Sequence, residues 1–174
     1  MIKKMKKDVT RLKKEPKKKL PNDKQELLSR NNYEMYNLDL LRKVFPRIIA
    51  EHDSAVKRTQ RKPQIRDIIA LYFYLLSYVD GNHTWENGEQ NVRFGASFPA
   101  RQKISFDLGI AERRIKKLVD ILLANGLLLE VKDVWSGTDR YKWYFVSFCP
   151  RISDDGYIVS EDGEKIVPDL SVYM

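Results

Sequence analysis

Hydrophobic residues recur at helical spacing in the first half of the chain. The first such set lies within 31–62 and consists of Leu38, Leu41, Phe45, Ile48 and Ile49. Spacings of three and four are typical of a helix, and Pro46 predicts a kink or a new helix start within it. From Pro63, a residue suited to a first helical turn, the chain is apolar nearly all round as far as Val79. This second pattern predicts a central, buried helix.

Two more helices, separated by a glycine turn, are predicted further along. Positions 100–108 form a short helix in which Ile104 and Leu108 face the core, and Gly109 ends it. A longer amphipathic helix follows at 111–125. Its apolar stripe consists of Ile115, Leu118, Val119, Leu122 and Leu123.

Alternating and β-branched runs predict the strands. A short strand is expected at 90–94, and two longer strands at 127–135 and 141–148 are joined by turn residues at 136–139. A smaller hairpin is expected around the acidic turn at 161–163. The fold class is therefore predicted to be α+β.

The order of these elements is that of a winged helix-turn-helix domain, in which a helical core carries a β-hairpin wing. We assign this domain to 63–149, with a helical extension or linker at 31–62 before it. An acidic C-terminal tail, which includes the small hairpin, is expected at 150–174.

The positive charge is concentrated at the N-terminus. The chain has 174 residues and a net charge of +8, and 1–30 holds 12 basic and 4 acidic side chains. Residues 31–174 hold 20 of each, so the remainder is balanced. Because 1–30 has few apolar residues, we expect a disordered basic arm attached to a folded body.

The segment 104–118 resembles the bacterial helix-turn-helix pattern: an apolar helix, a Leu-Gly-aliphatic turn and a basic helix start. Gly109 permits the backbone turn that sets the two helices at a steep angle. Ile110 and Ile115 anchor the second helix to the core. The opposite face of its N-terminal half is then free to enter a major groove.

That free face carries the main candidate DNA-binding residues, which are Glu112, Arg113, Arg114, Lys116 and Lys117. Arginine can bond guanine bidentately and lysine can neutralise phosphate. We therefore predict that Arg113 and Arg114 select the DNA sequence. The alternative is an ordinary solvated helix surface.

Further candidates lie on the neighbouring elements. Arg101 and Gln102, at the start of the preceding helix, suit phosphate positioning. The hairpin from 132 to 142 would form the wing, which can approach the adjacent minor groove or backbone. Its cations are Lys132, Arg140 and Lys142.

A closer resemblance covers about a third of the chain. Three pieces carry it: Ala-Leu-Tyr-Phe-Tyr-Leu-Leu at 70–76, Trp-Glu-Asn-Gly-Glu at 85–89, and the helix-turn-helix segment. Together, residues 68–128 look like the N-terminal winged-helix region of plasmid replication initiators of low-GC Gram-positive bacteria. That family has an Asn-Gly-Glu insertion followed by a strand, as 87–94 has here. The resemblance implies origin binding, but the family's long following domain has no counterpart, so a plasmid- or phage-encoded regulator is equally compatible.

Other classes of function lack a supporting pattern. His52, His83 and Cys149 do not have metal-ligand spacing, and neither a phosphate-binding glycine loop nor a Gly-x-Ser-x-Gly motif occurs. No catalytic residue, metal or cofactor is expected, and the protein is not predicted to be an enzyme. The single cysteine and the lack of a signal peptide or of a membrane-length apolar run predict a cytoplasmic protein without membrane partners.

The predicted function is sequence-specific binding of double-stranded DNA through the helix 111–125 and the wing. A homodimer is expected, because one recognition helix reads few base pairs. Replication or transcription proteins are possible further partners. The alternative is a winged-helix module for protein–protein interaction, with 31–62 and the acidic tail as partner surfaces.

Overall fold

The computed structural model describes residues 34–56 and 64–174. The predicted basic arm at 1–30, the basic residues at 57–62 and Pro63 lie outside the described residues. Residues Met35–Met174 belong to one compact unit. Within the described residues the fold is α+β, with four α-helices and two small antiparallel sheets.

The N-terminal helix begins with a π-helical turn. Leu40–Val44 are π-helical, and α1 (Phe45–Ala55) continues from them with Pro46 in its first turn. Val44 and Phe45 both keep helical backbone angles, and the Phe45 N–H bonds the Leu40 carbonyl, so the helix is continuous here. Pro46, which lacks an N–H, follows the change from π- to α-helical geometry and does not begin a new helix as predicted. The wider π turn changes which residues share a face. Both ends of the π turn are therefore buried, whereas the predicted Leu38 and Leu41 are 45% and 42% exposed.

The central helix is α2 (Asp67–Leu76), which begins four residues after Pro63 and ends three before Val79. Its buried side chains include Ile68, Leu71, Tyr72 and Leu75, and three others are partly buried against the core: Ile69, Phe73 and Tyr74. The prediction of a buried central helix is confirmed.

The next two helices are α3 (Arg101–Leu108) and α4 (Glu112–Ala124), both close to their predicted bounds. Gly109 between them has φ +65°, a left-handed conformation that side chains disfavour. Ile110 is buried at this turn. The predicted stripe of α4 faces the core: four of its residues are buried and Leu123 is partly buried.

One sheet contains β1 (Ala96–Ser97), β2 (Leu128–Ser136) and β3 (Asp139–Val146) in the antiparallel order β1-β3-β2. The hairpin predicted from 127 to 148 is therefore confirmed, with Ser136 paired to Asp139 across a two-residue turn. The short strand, however, lies at 96–97 and not at 90–94 as predicted.

Side-chain hydrogen bonds of Asn91 explain why residues 90–94 do not form the predicted strand. Asn91 is buried; its Oδ1 accepts from the Arg93 N–H at 2.9 Å, and its Nδ2 donates to the Asn82 carbonyl at 2.7 Å. Such a bond holds the following residues in a turn and competes with strand pairing. Gly95, at φ +78°, then redirects the chain into β1.

The C-terminal segment is packed onto the core and is not a separate tail. It contains β4 (Arg151–Ile152), paired with β5 (Ile158–Val159), and a 3-10 helix at Leu170–Tyr173. Ile158 and Tyr173 both belong to the hydrophobic core. The predicted small hairpin is reduced to the single bridge between Val159 and Lys165.

Arg47 connects three segments that lie far apart in the sequence. Its guanidinium donates to Glu51 Oε2 at 2.7 Å on its own helix. It also donates to Asn125 Oδ1 at 2.7 Å, after α4, and to the Gly156 carbonyl at 3.0 Å in the C-terminal segment. The boundaries predicted near 62 and 150 therefore do not separate structural units.

Glu51 is the acceptor at the centre of the same network. The Tyr157 and Tyr173 hydroxyls donate to its two carboxylate oxygens, each at 2.8 Å. Burial alone would raise the pKa of Glu51, but hydrogen bonds from Arg47, Tyr173 and Tyr157 outweigh burial and hold that pKa below its ordinary value.

Candidate nucleic-acid interface

A cleft of about 680 Å³ lies between α3, α4 and the β2–β3 hairpin. Six of the ten predicted site residues line it: Arg101, Gln102, Glu112, Lys116, Arg140 and Lys142. Two periodicities account for this convergence. Glu112 and Lys116 are four residues apart on α4 and so share a face, and Arg140 and Lys142 are two apart on β3.

Lys132, the third predicted cation of the wing, lies on the hairpin but does not line the cleft. Its Nζ is 4.9 Å from the centre of the Phe145 ring and 2.9 Å from Glu130 Oε2. Successive side chains of a strand point to opposite faces. The neighbouring Asp133 lines the cleft, so Lys132 belongs to the outer face of the hairpin.

Asp133 also lines the cleft, although it is not among the predicted site residues. Its carboxylate lies 2.6 Å from Arg140 Nη2 and 2.8 Å from Lys142 Nζ. These hydrogen bonds, from Arg140 first and then Lys142, hold the pKa of Asp133 far below its ordinary value. Asp133 is the cross-strand partner of Lys142, and the hairpin register, once fixed at the turn, would have predicted the pair.

The cleft therefore has only a small excess of positive charge. Four cations line it, together with three carboxylates, Glu112, Asp120 and Asp133. Lys116 Nζ lies 2.9 Å from Asp120 Oδ2, one helical turn along α4. Arg101 makes no ion pair with any residue of 34–56 or 64–174.

Arg114 holds two helices together and does not face the cleft. Its Nη1 lies 2.6 Å from Asp67 Oδ2, in the first turn of α2, and its Nη2 donates to the Gln64 carbonyl at 2.8 Å. These contacts fix the start of α4 against the start of α2. That Arg114 reads bases stays a prediction, but its guanidinium is already engaged by Asp67 and Gln64, about 50 positions earlier, and these contacts oppose it.

Arg113 and Lys117 are both exposed, but they lie beside a second cavity and not in the cleft. They are again four residues apart, one position along from Glu112 and Lys116. The predicted basic face of α4 is therefore divided between two sites. One side of the helix faces the cleft, and the other faces the second cavity.

The described residues are acidic as a whole. They contain 16 basic and 20 acidic side chains, a net charge of −4 within a chain of net charge +8. The excess of positive charge thus comes from 1–33 and 57–63.

Comparisons with protein families, with curated proteins and with solved structures find no match to this chain. In the described part of the chain, none of the helices is both long and apolar enough to cross a membrane. Nor do the described residues include a group of three or more His, Cys, Asp or Glu side chains placed to hold a metal ion.

Proposed function

We propose that this protein is a winged helix-turn-helix protein that binds double-stranded DNA through the cleft between α3, α4 and the β2–β3 hairpin. The observation that carries the proposal is the convergence of Arg101, Lys116 and the Arg140–Lys142 pair on one concave surface from three separate elements. The order of the elements supports it: a strand precedes two helices joined at Gly109, and a hairpin that pairs with that strand follows them.

In this proposal each element has its own part. The N-terminal half of α4 enters the major groove. Arg101 and Gln102 position the phosphate backbone from the first turn of α3, and Arg140 and Lys142 contact it from the wing. Arg113, which is exposed at the edge of α4, is the candidate for selecting bases.

The basic residues outside the cleft would supply much of the affinity for DNA. The cleft has almost as many carboxylates as cations, so it displaces few counterions by itself. The basic residues of 1–30 and 57–62 add sequence-independent attraction to phosphate. We propose that the protein acts in the cytoplasm as a homodimer, as a plasmid- or phage-encoded regulator or as an origin-binding replication protein.

The first experiment identifies the DNA and then removes charge from the cleft. Selection of bound fragments from random or host-plasmid DNA gives the preferred site. A palindrome near a promoter would indicate a transcriptional regulator. Direct repeats at a replication origin would indicate a replication initiator. Affinity for that site is then measured across a salt series for Arg101→Gln/Lys116→Gln. We expect the slope of log K against log salt to fall by about two, because each phosphate contact contributes about 0.9.

The matched control is Lys103→Gln/Lys132→Gln. It removes the same charge from α3 and from the outer face of the hairpin, outside the residues that line the cleft. We expect its salt slope to match that of the unmodified protein. Equal losses in the two double variants would contradict the assignment of the cleft.

A protein–protein interaction module is the second candidate, and two observations favour it. Phe106 on α3 is 89% exposed and Trp135 on the hairpin is 65% exposed, so two large apolar side chains are available for contact with a partner protein. The described residues also have a net negative charge, which opposes DNA binding. A flat response to salt, or no DNA binding by the full chain, would support this candidate.

A further inference from the structure

A second cavity, of about 310 Å³, lies beside α4 between that helix, the end of α1 and the C-terminal 3-10 helix. Its apolar lining includes Ile65, Leu118 and Ile121, all of them buried. Arg113 and Lys117 line it as well, and both are exposed to solvent. The cavity thus combines an apolar interior with two cations at the surface, and its volume is at the lower end of the range for small-molecule sites, ~300–1,000 Å³.

His52 gives this cavity a polar group without a partner. The side chain is 1% exposed and lines the cavity. Its Nδ1 lies 3.2 Å from Asp53 Oδ1, while its buried Nε2 has no hydrogen-bond partner among the described residues. Buried polar atoms are nearly always paired. Because His52 lines the cavity and its Nε2 has no partner, a group that reaches this nitrogen from the cavity would complete its hydrogen bonding.

The partner of Nδ1 determines whether the Nε2 atom of His52 donates or accepts a hydrogen bond. A carboxylate only accepts hydrogen bonds, so Nδ1 carries the proton that faces Asp53. In the neutral ring Nε2 is then an acceptor, and its missing partner is a donor. Tyr173 does not supply it, because its hydroxyl donates to Glu51 at 2.8 Å.

We propose that this cavity binds a small organic anion that carries a hydroxyl or N–H donor on an apolar body. The donor bonds His52 Nε2, the apolar body packs against the isoleucine and leucine side chains, and the anionic group lies between Arg113 and Lys117. Arg114, which also lines the cavity, contributes less because Asp67 and Gln64 already occupy its guanidinium.

Three related compounds test the chemistry directly, by calorimetry on the full chain without DNA. 4-Hydroxyphenylacetate has both the donor and the anion, phenylacetate lacks the donor, and 4-hydroxyphenylethanol lacks the anion. We expect 4-hydroxyphenylacetate to bind at least about fivefold more tightly than either of the other two, which is the effect of losing one hydrogen bond or ion contact. No saturable binding of any of the three at millimolar concentration would overturn the proposal.

Two sets of variants locate the binding. His52→Leu should abolish the preference for 4-hydroxyphenylacetate over phenylacetate, and Arg113→Gln/Lys117→Gln should abolish its preference over 4-hydroxyphenylethanol. The control Lys103→Gln/Lys132→Gln should retain both preferences. If His52→Leu fails to fold, the ring ¹⁵N signals of the unmodified protein replace it: His52 Nε2 should shift on binding while the only other histidine, His83, should not. The site would be overturned if Arg113→Gln/Lys117→Gln still preferred 4-hydroxyphenylacetate over 4-hydroxyphenylethanol, or if the His52 Nε2 signal did not shift on binding.

The site would also regulate the protein. Because Arg113 and Lys117 lie on α4, a bound anion would neutralise charge on the helix that enters the groove, and 4-hydroxyphenylacetate should weaken DNA binding. This consequence rests on the proposed function, whereas the calorimetry is done without DNA. Failure of either proposal is therefore visible separately.

Discussion

At the scale of single residues, Asp133 decides how positive the cleft is. One carboxylate pairs with two cations, Arg140 and Lys142, at 2.6 and 2.8 Å. The three side chains are 34–55% exposed, and exposed pairs contribute little to stability, typically about 0–1 kcal/mol. The effect of Asp133 is therefore on the electric field of the surface rather than on the stability of the fold.

Replacing Asp133 with asparagine should make the protein bind DNA more tightly. Asp133→Asn frees two cations of the wing, so we expect affinity for the selected site to rise several-fold and the salt dependence to become steeper. The melting temperature should hardly change. Asp139→Asn is the control, since Asp139 is at the hairpin turn and outside the cleft. An equal gain in both variants would show that only net charge matters.

At the scale of elements, the sequence correctly predicted the helices and strands whose hydrophobic residues recur at regular spacing. Helices α3 and α4 and the β2–β3 hairpin come from long amphipathic or alternating patterns, and all three form close to their predicted bounds. The prediction of a strand at 90–94 was wrong because a single side chain, Asn91, holds the backbone in a turn. In the site, alternation along the hairpin could have separated Lys132 from the cleft. The pairing of Arg114 with Asp67 joins distant parts of the chain, and no local pattern predicts it.

The docking of the C-terminal segment on the N-terminal helix depends on a close contact at Gly156. A Cβ added there would lie 2.8 Å from the backbone oxygen of Lys43, whereas one added at Gly163 would meet nothing within 4 Å. Both glycines have similar positive φ, +84° and +88°. Each change to alanine should therefore cost about 1–2 kcal/mol of backbone strain.

Gly156→Ala should lower the free energy of unfolding by roughly 1–3 kcal/mol more than Gly163→Ala does, because the backbone of Lys43 has to move away from the new Cβ. Chemical denaturation of the two variants measures the difference in the free energy of unfolding. Equal values would mean that the contact between Gly156 and the π-helical turn is not formed in solution.

At the scale of the whole molecule, we expect the network around Glu51 to contribute to the loss of stability at acid pH. The pKa of Glu51 is lower in the folded protein than its ordinary value of 4.5. Its contribution is therefore present above about pH 4.5 and is lost as the pH falls through the folded value. In Glu51→Gln we expect lower stability at neutral pH and a weaker decline between neutral and acid pH. The melting temperature measured as a function of pH checks both.

The pKa of Tyr173 is shifted in the opposite direction, so we expect Tyr173 to contribute to the loss of stability at alkaline pH. Burial, aided by the hydrogen bond to Glu51, raises the pKa of Tyr173 from 10.0 to about 12. The contribution of the neutral hydroxyl is complete below pH 10 and is lost as the pH rises towards 12. Tyr173→Phe should flatten the fall in stability over this interval. An unchanged slope would mean that other buried tyrosines, such as Tyr72, dominate.

The distribution of charge over the whole chain leads to the last prediction. The described residues have a net charge of −4, yet the chain has +8, and 1–30 alone contributes +8. If the cleft and α4 select the sequence, the N-terminal residues only add attraction that salt screens. Deleting 2–30 should then lower affinity for every DNA by a similar factor and reduce the salt slope, while selection returns the same preferred site. A changed site would show that these residues read bases themselves, as minor-groove arms do. An unchanged affinity would mean that the contacts are made by the folded body despite its negative charge.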